Sequence, residues 1–321
     1  MLHHDPVLLS EVELVLQSQN SKKLIIDATL GLGGHAGMML SHMGGGDTLL
    51  GFDRDSDNLA LARAHLAKIQ TKAHFEGVHA SFADLEMILR GLGQGNKTPL
   101  TFPLTSGVQK PEVDFILYDL GVSSAHYDEG SRGFSLRSLG PLDMRFDRTT
   151  GKTAEDLVHS LSERELMHIF IRYADEKKAL FIARAIMKAR ETTRIDTTDK
   201  LQAIVKAASF DPKSSLRVFQ ALRIAVNEEF EHIEVSLRSA IEHLRIGGKI
   251  AVITFHSIED RIVKNLFAEY LTGTIDDITG QTVIPPRLRK YAKKPIEPTE
   301  EEIQNNPRSR SAKMRVVERI N

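Results

Sequence analysis

From Leu24 to Tyr118 short apolar runs alternate with segments whose apolar residues recur every three or four positions. That order predicts βαβ units on a parallel sheet. The candidate strands are LIIDA (Leu24 to Ala28), TLLGFD (Thr48 to Asp53), HFEGVHA (His74 to Ala80) and VDFILYD (Val113 to Asp119). Ser56 to Ile69 predicts an amphipathic helix with Leu59, Ala62, Leu66 and Ile69 on one stripe and Ser56 as its cap. Beyond Asp119 the pattern changes. Ala154 to Arg190 and Thr197 to Ala208 read as helices with short connections and no strand between them, an all-helical insertion at 125–214. Phe219, Leu222, Val226, Phe230, Ile233, Leu237, Ile241 and Leu244 then predict one long helix with a single buried face, ended by Gly247 and Gly248. KIAVITFHS (Lys249 to Ser257) resumes the sheet, and Ile258 to Tyr270 is the helix that follows it. The expected organisation is an α/β core in two parts, 1–124 and 215–321, around the helical domain at 125–214.

Composition narrows the chemistry. The 321 residues exceed what one simple core needs, in keeping with an insertion. With 42 basic and 43 acidic side chains the net charge is -1, so a nucleic-acid partner must be met by a local patch. The chain has no cysteine, which excludes disulfides, thiolate zinc sites and cysteine nucleophiles. No apolar run approaches the roughly 18 residues that would cross a bilayer. The start MLHHDPVLLSEV has neither a basic n-region nor the character of a transit peptide. A cytoplasmic location without membrane contact is the expectation. Between Gly91 and Pro111 four glycines, three prolines and no period predict a long surface loop.

DATLGLGGHAG (Asp27 to Gly37) lies where the first strand meets the next helix, and GLGGHA (Gly31 to Ala36) satisfies the fingerprint GxGxx(G/A), with Asp53 ending the second strand. Such glycines allow a tight turn and close backbone approach to an adenosyl ligand without naming the ligand. Asp27 discriminates. A dinucleotide would bring a pyrophosphate against that carboxylate, whereas S-adenosylmethionine brings an ammonium and a sulfonium and no phosphate. The expected cleft has Asp27 near the ammonium, Asp53 at the ribose hydroxyls and Asp119 at the fourth strand end. Each acid also has an ordinary alternative as a strand-end or helix-cap carboxylate, and a dinucleotide-dependent oxidoreductase is the competing reading of the turn. After Asp119, the polar stretch DLGVSSAHY (Asp119 to Tyr127) puts Asp119 and Ser123 where a methyl acceptor would sit. A nucleobase amine needs a hydrogen-bond acceptor as its nitrogen becomes tetrahedral, a task for an aspartate.

The strings GPLDMRFD (Gly140 to Asp147), RGFS (Arg132 to Ser135), FQALRIAVNEE (Phe219 to Glu229), FHSIEDRIVK (Phe255 to Lys264) and NPRSRSAKMR (Asn306 to Arg315) carry a resemblance. With HDPVLLSEV (His4 to Val12) at the start, the chain resembles the bacterial small-subunit rRNA (cytosine-N4) methyltransferase family, also called the MraW family. The resemblance implies a Rossmann-like S-adenosylmethionine-dependent methyltransferase sheet with an inserted all-helical, substrate-recognition domain. It implies methylation of the exocyclic N4 of a decoding-centre cytidine in small-subunit (16S) ribosomal RNA, within an assembled or nearly assembled subunit, without a metal and with a homodimer possible. By position, the family's cofactor contacts fall on Gly33, Gly34, His35, Asp53, Phe82 and Asp119, with Asp27 and Gly31 added from the reading of the turn. A family glutamine is replaced by His126, whose neutral ring still offers a donor. Asp119 is the expected amine acceptor, with Ser123, Asp143 and Arg145 as helpers or base-edge readers. For Asp143 and Arg145 a buried ion pair that ties the insertion to the core is the alternative, and His256 is expected to be structural.

From Pro285 to Asn321 there are ten Lys or Arg against five Glu. RLRKYAKK (Arg287 to Lys294) and PRSRSAK (Pro307 to Lys313) are therefore candidates for gripping phosphates. Tyr127, Phe134 and Phe146 are candidates for stacking a splayed-out cytosine, with core packing as the alternative for Phe146. A third reading of the whole chain is an RNA-binding assembly factor that keeps a methyltransferase fold without its activity.

Overall fold

Near-continuous apolar runs become buried strands, because a parallel strand is covered by helices on both faces. In the computed structural model, residues 5–19, 23–93, 111–121, 130–136, 138–275, 280 and 282–321 are described. The chain begins α1 (Leu9–Gln17), β1 (Leu24–Asp27), α2 (Gly34–Ser41), β2 (Thr48–Asp53), α3 (Ser56–Leu66), β3 (His74–His79), α4 (Leu85–Gly93) and β4 (Val113–Asp119). Among the described residues five α-helices follow: α5 (Ala154–Ser160), α6 (Glu163–Ala174), α7 (Ala179–Arg190), α8 (Thr198–Ser209) and α9 (Ser214–Asn227). The last part contains α10 (Glu229–His243), β5 (Leu244–Thr254), α11 (Ser257–Leu271), a short antiparallel pair of β6 (Thr274–Ile275) and β7 (Thr282–Ile284), then β8 (Leu288–Lys290), α12 (Glu300–Asn305) and β9 (Lys313–Arg319). The chain divides into two compact units, one of residues 1–121 and 231–321 and the other of residues 122–230.

The first unit is built on a seven-stranded sheet in the order β3-β2-β1-β4-β5-β9-β8. Strands β1 to β5 run parallel, and β9 runs antiparallel to both β5 and β8. The chain winds outward from β1 to β3 and then returns to β4 on the other side of β1. The crevice beyond the carboxyl ends of β1 and β4 is thus a topological switch point, where open α/β sheets bind ligands. Strand β1 is buried throughout, and β4 is buried up to its terminal Asp119. One face of the sheet is covered by Val12, Val15 and Leu16 of α1, Ala36, Met39 and Leu40 of α2, and Leu59, Ala62 and Leu66 of α3. The spacing of three and four turns these residues to one side of each helix.

Several element boundaries differ from expectation. Helix α3 is capped by Asp55, whose Oδ1 accepts from the amides of Asp57 (2.9 Å) and Asn58 (3.3 Å), rather than by Ser56. A carboxylate one residue earlier reaches the free N–H groups that a hydroxyl inside the first turn does not. The expected long helix at Leu216 to Leu244 is two helices. Glu228 adopts a left-handed conformation (φ 52°) between α9 and α10, and the apolar spacing runs on across this break without marking it. Gly247 and Gly248 do not end a helix either, since β5 begins at Leu244 and contains both. The helical unit consequently reaches Phe230 rather than residue 214. Helix α9 packs within it, with Gln220 donating to the carbonyl of Tyr173 at 3.2 Å. Most of the expected Gly91 to Pro111 loop lies outside the described residues.

Candidate cofactor and catalytic site

The glycine turn is wired to the acids around it. The amide of Ala28 continues the ladder to the carbonyl of Leu117 (2.8 Å), and the amide of Leu30 donates to the carbonyl of Phe52 (2.8 Å). The turn therefore stays in register with both neighbouring strands. The amide of Gly31 donates to Oδ2 of Asp53 at 2.9 Å, so the acid of the second strand holds the turn as well as facing the crevice. Gly33 precedes α2 with φ 83°, a left-handed geometry that L side chains seldom adopt. At Gly34 a β-carbon would stand 2.4 Å from Cγ of Pro6, so the absence of a side chain lets the N-terminal segment lie against the turn.

Asp27, Asp53 and Asp119 end three neighbouring strands in the order β2-β1-β4. Asp27 is turned inward at 1% exposure, and its Oδ1 accepts from the amide of Thr29 at 3.2 Å. Burial pushes its carboxyl up to about 7, against the opposing Thr29 hydrogen bond. Asp53 accepts from Gly31 and, at 2.8 Å, from the amide of Asp55. Although the residue is only partly buried, enclosure of its carboxyl pushes it up to about 7 despite those bonds, with the charges of Asp55 and Asp27 adding to the rise. Asp119 lies well above the ordinary carboxylate range because of burial, followed by the charges of Asp27 and Glu259. Thr29 Oγ1 accepts from the Asp119 amide at 2.6 Å, which fixes the strand end while leaving the carboxyl to other partners. Oδ1 of Asp119 has no hydrogen-bond partner among the described residues. Buried acids crowded in this way disfavour their own ionised forms, and a cation set among them would reverse that.

His35, in the first turn of α2, sits at the centre of this arrangement. Its Nε2 is 3.0 Å from the carbonyl of Val7 and its Nδ1 is 3.7 Å from Oδ2 of Asp119. Phe82 lies within the capping box of Ser81 and Asp84, and its ring meets Tyr118 and His232 edge-on, at 5.7 and 6.4 Å between centroids. It is thereby fixed to the residue preceding Asp119. Beyond β5, His256 caps α11 and pairs with the buried Glu259 at 2.8 Å. Glu259 Oε2 accepts from the amides of Phe255 (2.9 Å) and His256 (3.3 Å). The sequence reading gave no role to Thr29 or Glu259. The helix-start spacing of His256 and Glu259 was the available signal for the latter. Ser123, His126 and Tyr127 lie outside the described residues.

Comparison with known proteins places the chain in a family. The sequence model of the MraW methylase family matches residues 1–320. The chain is 41% identical over 333 aligned positions to the ribosomal RNA small subunit methyltransferase H of Paenibacillus sp. (strain JDR-2), covering 100% of both chains. Proteins of the same name from Geobacter sp. (strain M21) and Pelobacter propionicus are 40% and 41% identical, with 99% and 92% of both chains covered. The chain belongs to the MraW methylase family. Its seven-stranded sheet is accordingly a Rossmann-like methyltransferase sheet.

In the helical unit of this MraW methylase, Asp143 and Arg145 form a two-pronged pair, with Nε to Oδ1 at 2.7 Å and Nη2 to Oδ2 at 2.9 Å. Burial alone would raise the Asp143 carboxyl, but the hydrogen bonds and charge of Arg145 hold it below its ordinary value. The surrounding backbone is tightly held. Arg132 donates to the carbonyls of Arg145 (3.1 Å) and Phe146 (2.9 Å). Asn227 donates to the carbonyl of Met144 (2.8 Å) and accepts from the amide of Phe146 (2.9 Å). Three of the strings that carried the family resemblance therefore meet at one knot. Arg132 and Asn227 are its fasteners, and the sequence reading assigned neither a role. Phe134 is buried and stacked on Phe146, with centroids 5.5 Å apart, which places both in packing rather than at an open stacking surface.

The basic tail is partly spent on the fold. Arg287 pairs with Glu242, Arg289 with Glu318 at 2.7 Å, Lys313 with Glu297 at 3.7 Å, and Arg315 with Asp260 at 2.6 Å. Arg319 donates to the carbonyls of Ile241 (3.3 Å) and Glu242 (3.0 Å). The candidates for the expected phosphate grip that remain exposed include Lys290, Lys293, Lys294 and Arg310.

Proposed function

We propose that this MraW methylase transfers a methyl group from S-adenosylmethionine to the exocyclic N4 of a decoding-centre cytidine in small-subunit (16S) ribosomal RNA. The observation that carries the reading is Oδ1 of Asp119, unpartnered among the described residues, beside two further inward-facing acids at the sheet's switch point. The residues suit the cofactor, since three carboxylates crowd the crevice where a pyrophosphate would be repelled and a cation welcomed.

S-adenosylmethionine supplies an electrophilic methyl on a sulfonium. Asp27 would hold the methionyl ammonium and Asp53 the ribose hydroxyls, with Gly31, Gly33, Gly34, His35, Phe82 and His126 shaping the remaining contacts. Asp119 would draw off the N–H proton of the amine that accepts the methyl group the sulfonium supplies. The amine's lone pair is thereby released from the ring to attack. A buried carboxylate kept basic by its surroundings is suited to that transfer, and in-line alignment removes much of the entropic barrier. Ser123 is proposed as a helper at the amine. Asp143 and Arg145, bonded to each other, are proposed as positioning residues for the knot at Gly140 to Phe146. The substrate is proposed to be the assembled or nearly assembled small subunit in the cytoplasm. No helix among the described residues is long and apolar enough to cross a membrane.

The test is transfer of labelled methyl from S-adenosylmethionine to small-subunit particles, followed by nucleoside analysis. N4-methylcytidine at one decoding-centre position, lost with Asp119→Ala, is the expected result. Label in protein or at another atom of the base would defeat the reading.

A further inference from the structure

At one end of the helical unit, basic residues and large exposed apolar side chains gather around a single arginine. Arg217, in the first turn of α9, pairs with Glu176 of the α6–α7 turn and with Asp211 of the α8–α9 turn, both at 2.6 Å. It thereby stitches the two turns side by side and neutralises an acid in each. Lys177, Lys178 and Lys213 in these turns and Lys206 in the last turn of α8 are exposed. Phe210 is 91% exposed, Leu216 60% and Phe181 56%. Lys178 Nζ lies 5.8 Å from the centre of the Phe181 ring. Phe210 also holds a left-handed backbone (φ 54°) at the C-terminus of α8. A phenylalanine in that conformation and almost wholly in water is disfavoured on both counts. Strain of this kind collects at functional positions.

We infer that this end of the helical unit is a second contact for single-stranded RNA, in which Phe210 stacks on an unpaired base while Lys177, Lys178, Lys206 and Lys213 hold the flanking phosphates. An aromatic platform among lysines is the combination that grips single-stranded nucleic acid without reading its sequence. Across residues 175–181 and 206–217 there are five basic side chains against three acidic ones, and two of the acids are held by Arg217. That balance favours a polyanion over a neutral apolar partner. The inference rests on the RNA reading of the catalytic site.

The experiment uses the full chain, a short unstructured RNA oligonucleotide followed by fluorescence anisotropy, and small-subunit particles followed by methyl transfer. Phe210→Ala is expected to weaken oligonucleotide binding about 5- to 100-fold. It should also raise KM for the particles, with kcat and cofactor affinity unchanged. Phe210→Trp should retain binding. Lys177→Glu with Lys213→Glu should weaken binding and reduce the salt dependence of log K by roughly one and a half, as loss of two phosphate contacts requires. A photo-crosslinker at position 210 should capture ribosomal RNA in the particle. Unchanged oligonucleotide affinity and KM in Phe210→Ala, or crosslinks confined to ribosomal protein, would overturn the inference while wild-type methyl transfer stands. If wild type transfers no methyl to the particles, the catalytic reading fails instead, and the oligonucleotide arm still judges the surface.

Discussion

Nδ1 of His35 stands 3.7 Å from Oδ2 of Asp119 while Nε2 of the same ring is 3.0 Å from the carbonyl oxygen of Val7. A carbonyl only accepts, so the Nε2 position carries the proton, and a neutral ring turns its acceptor nitrogen toward the carboxyl. The raised proton affinity of Asp119 and the orientation of His35 are consistent with each other, and they place a titrating group at the proposed reaction centre.

Replacement of Asp119 by Asn keeps the side-chain volume but removes the proton acceptor. Turnover should fall about 100- to 10,000-fold, with far-UV circular dichroism unchanged. Single-turnover methyl transfer to small-subunit particles measures it, and a loss under tenfold would remove Asp119 from the role of amine acceptor.

Cofactor affinity should increase as pH rises through about 7, where Asp27 and Asp53 ionise. Below that pH the acids are neutral and offer a cationic ligand little; above it they are charged and binding reaches a plateau. Calorimetry in buffers of different ionisation heat should detect protons released on binding near neutrality. Equal affinity at pH 5.5 and pH 8.5 would contradict this electrostatic account of the crevice.

The same shift bears on folding. Asp27 rises from an ordinary 3.8 to about 7 in the fold, so its stabilising contribution is complete below 3.8 and is lost as pH climbs through 7. Asp27→Asn escapes that loss and can still accept from the Thr29 amide. The ligand-free variant should therefore melt higher than wild type at pH 8, by the equivalent of a few kcal/mol at most, yet match it near pH 4, and it should bind cofactor more weakly at pH 8. Thermal melts at the two pH values decide the point.

Gly34→Ala sets a β-carbon 2.4 Å from the Pro6 ring. The expected outcome is displacement of the N-terminal segment and a loss of about 1–3 kcal/mol, read as a lower denaturation midpoint together with weaker cofactor binding. In the helical unit, Asn227→Ala leaves the Met144 carbonyl and the Phe146 amide without their side-chain partner. A comparable loss of about 1–3 kcal/mol is expected there, measurable by denaturant titration.

The sequence by itself determined the parallel strands, the glycine turn, the three strand-end acids, the presence of a helical insertion and the family. These features are written in local periodicity, in residue type at strand ends, or in short ordered strings. Only the tertiary structure decided that Asp27 faces inward, that Asp119 keeps an oxygen unpartnered among the described residues, that Arg132 and Asn227 fasten the Asp143–Arg145 knot, and that at least half of the basic tail serves the fold. It also split the predicted long helix at Glu228, a break that apolar spacing does not register because one left-handed residue leaves the count of three and four intact. Burial, charge pairing and the proton affinities that follow from them depend on residues brought together from distant parts of the chain, as Asp119 and Thr29 are across 90 positions. Local pattern carries no record of such partners.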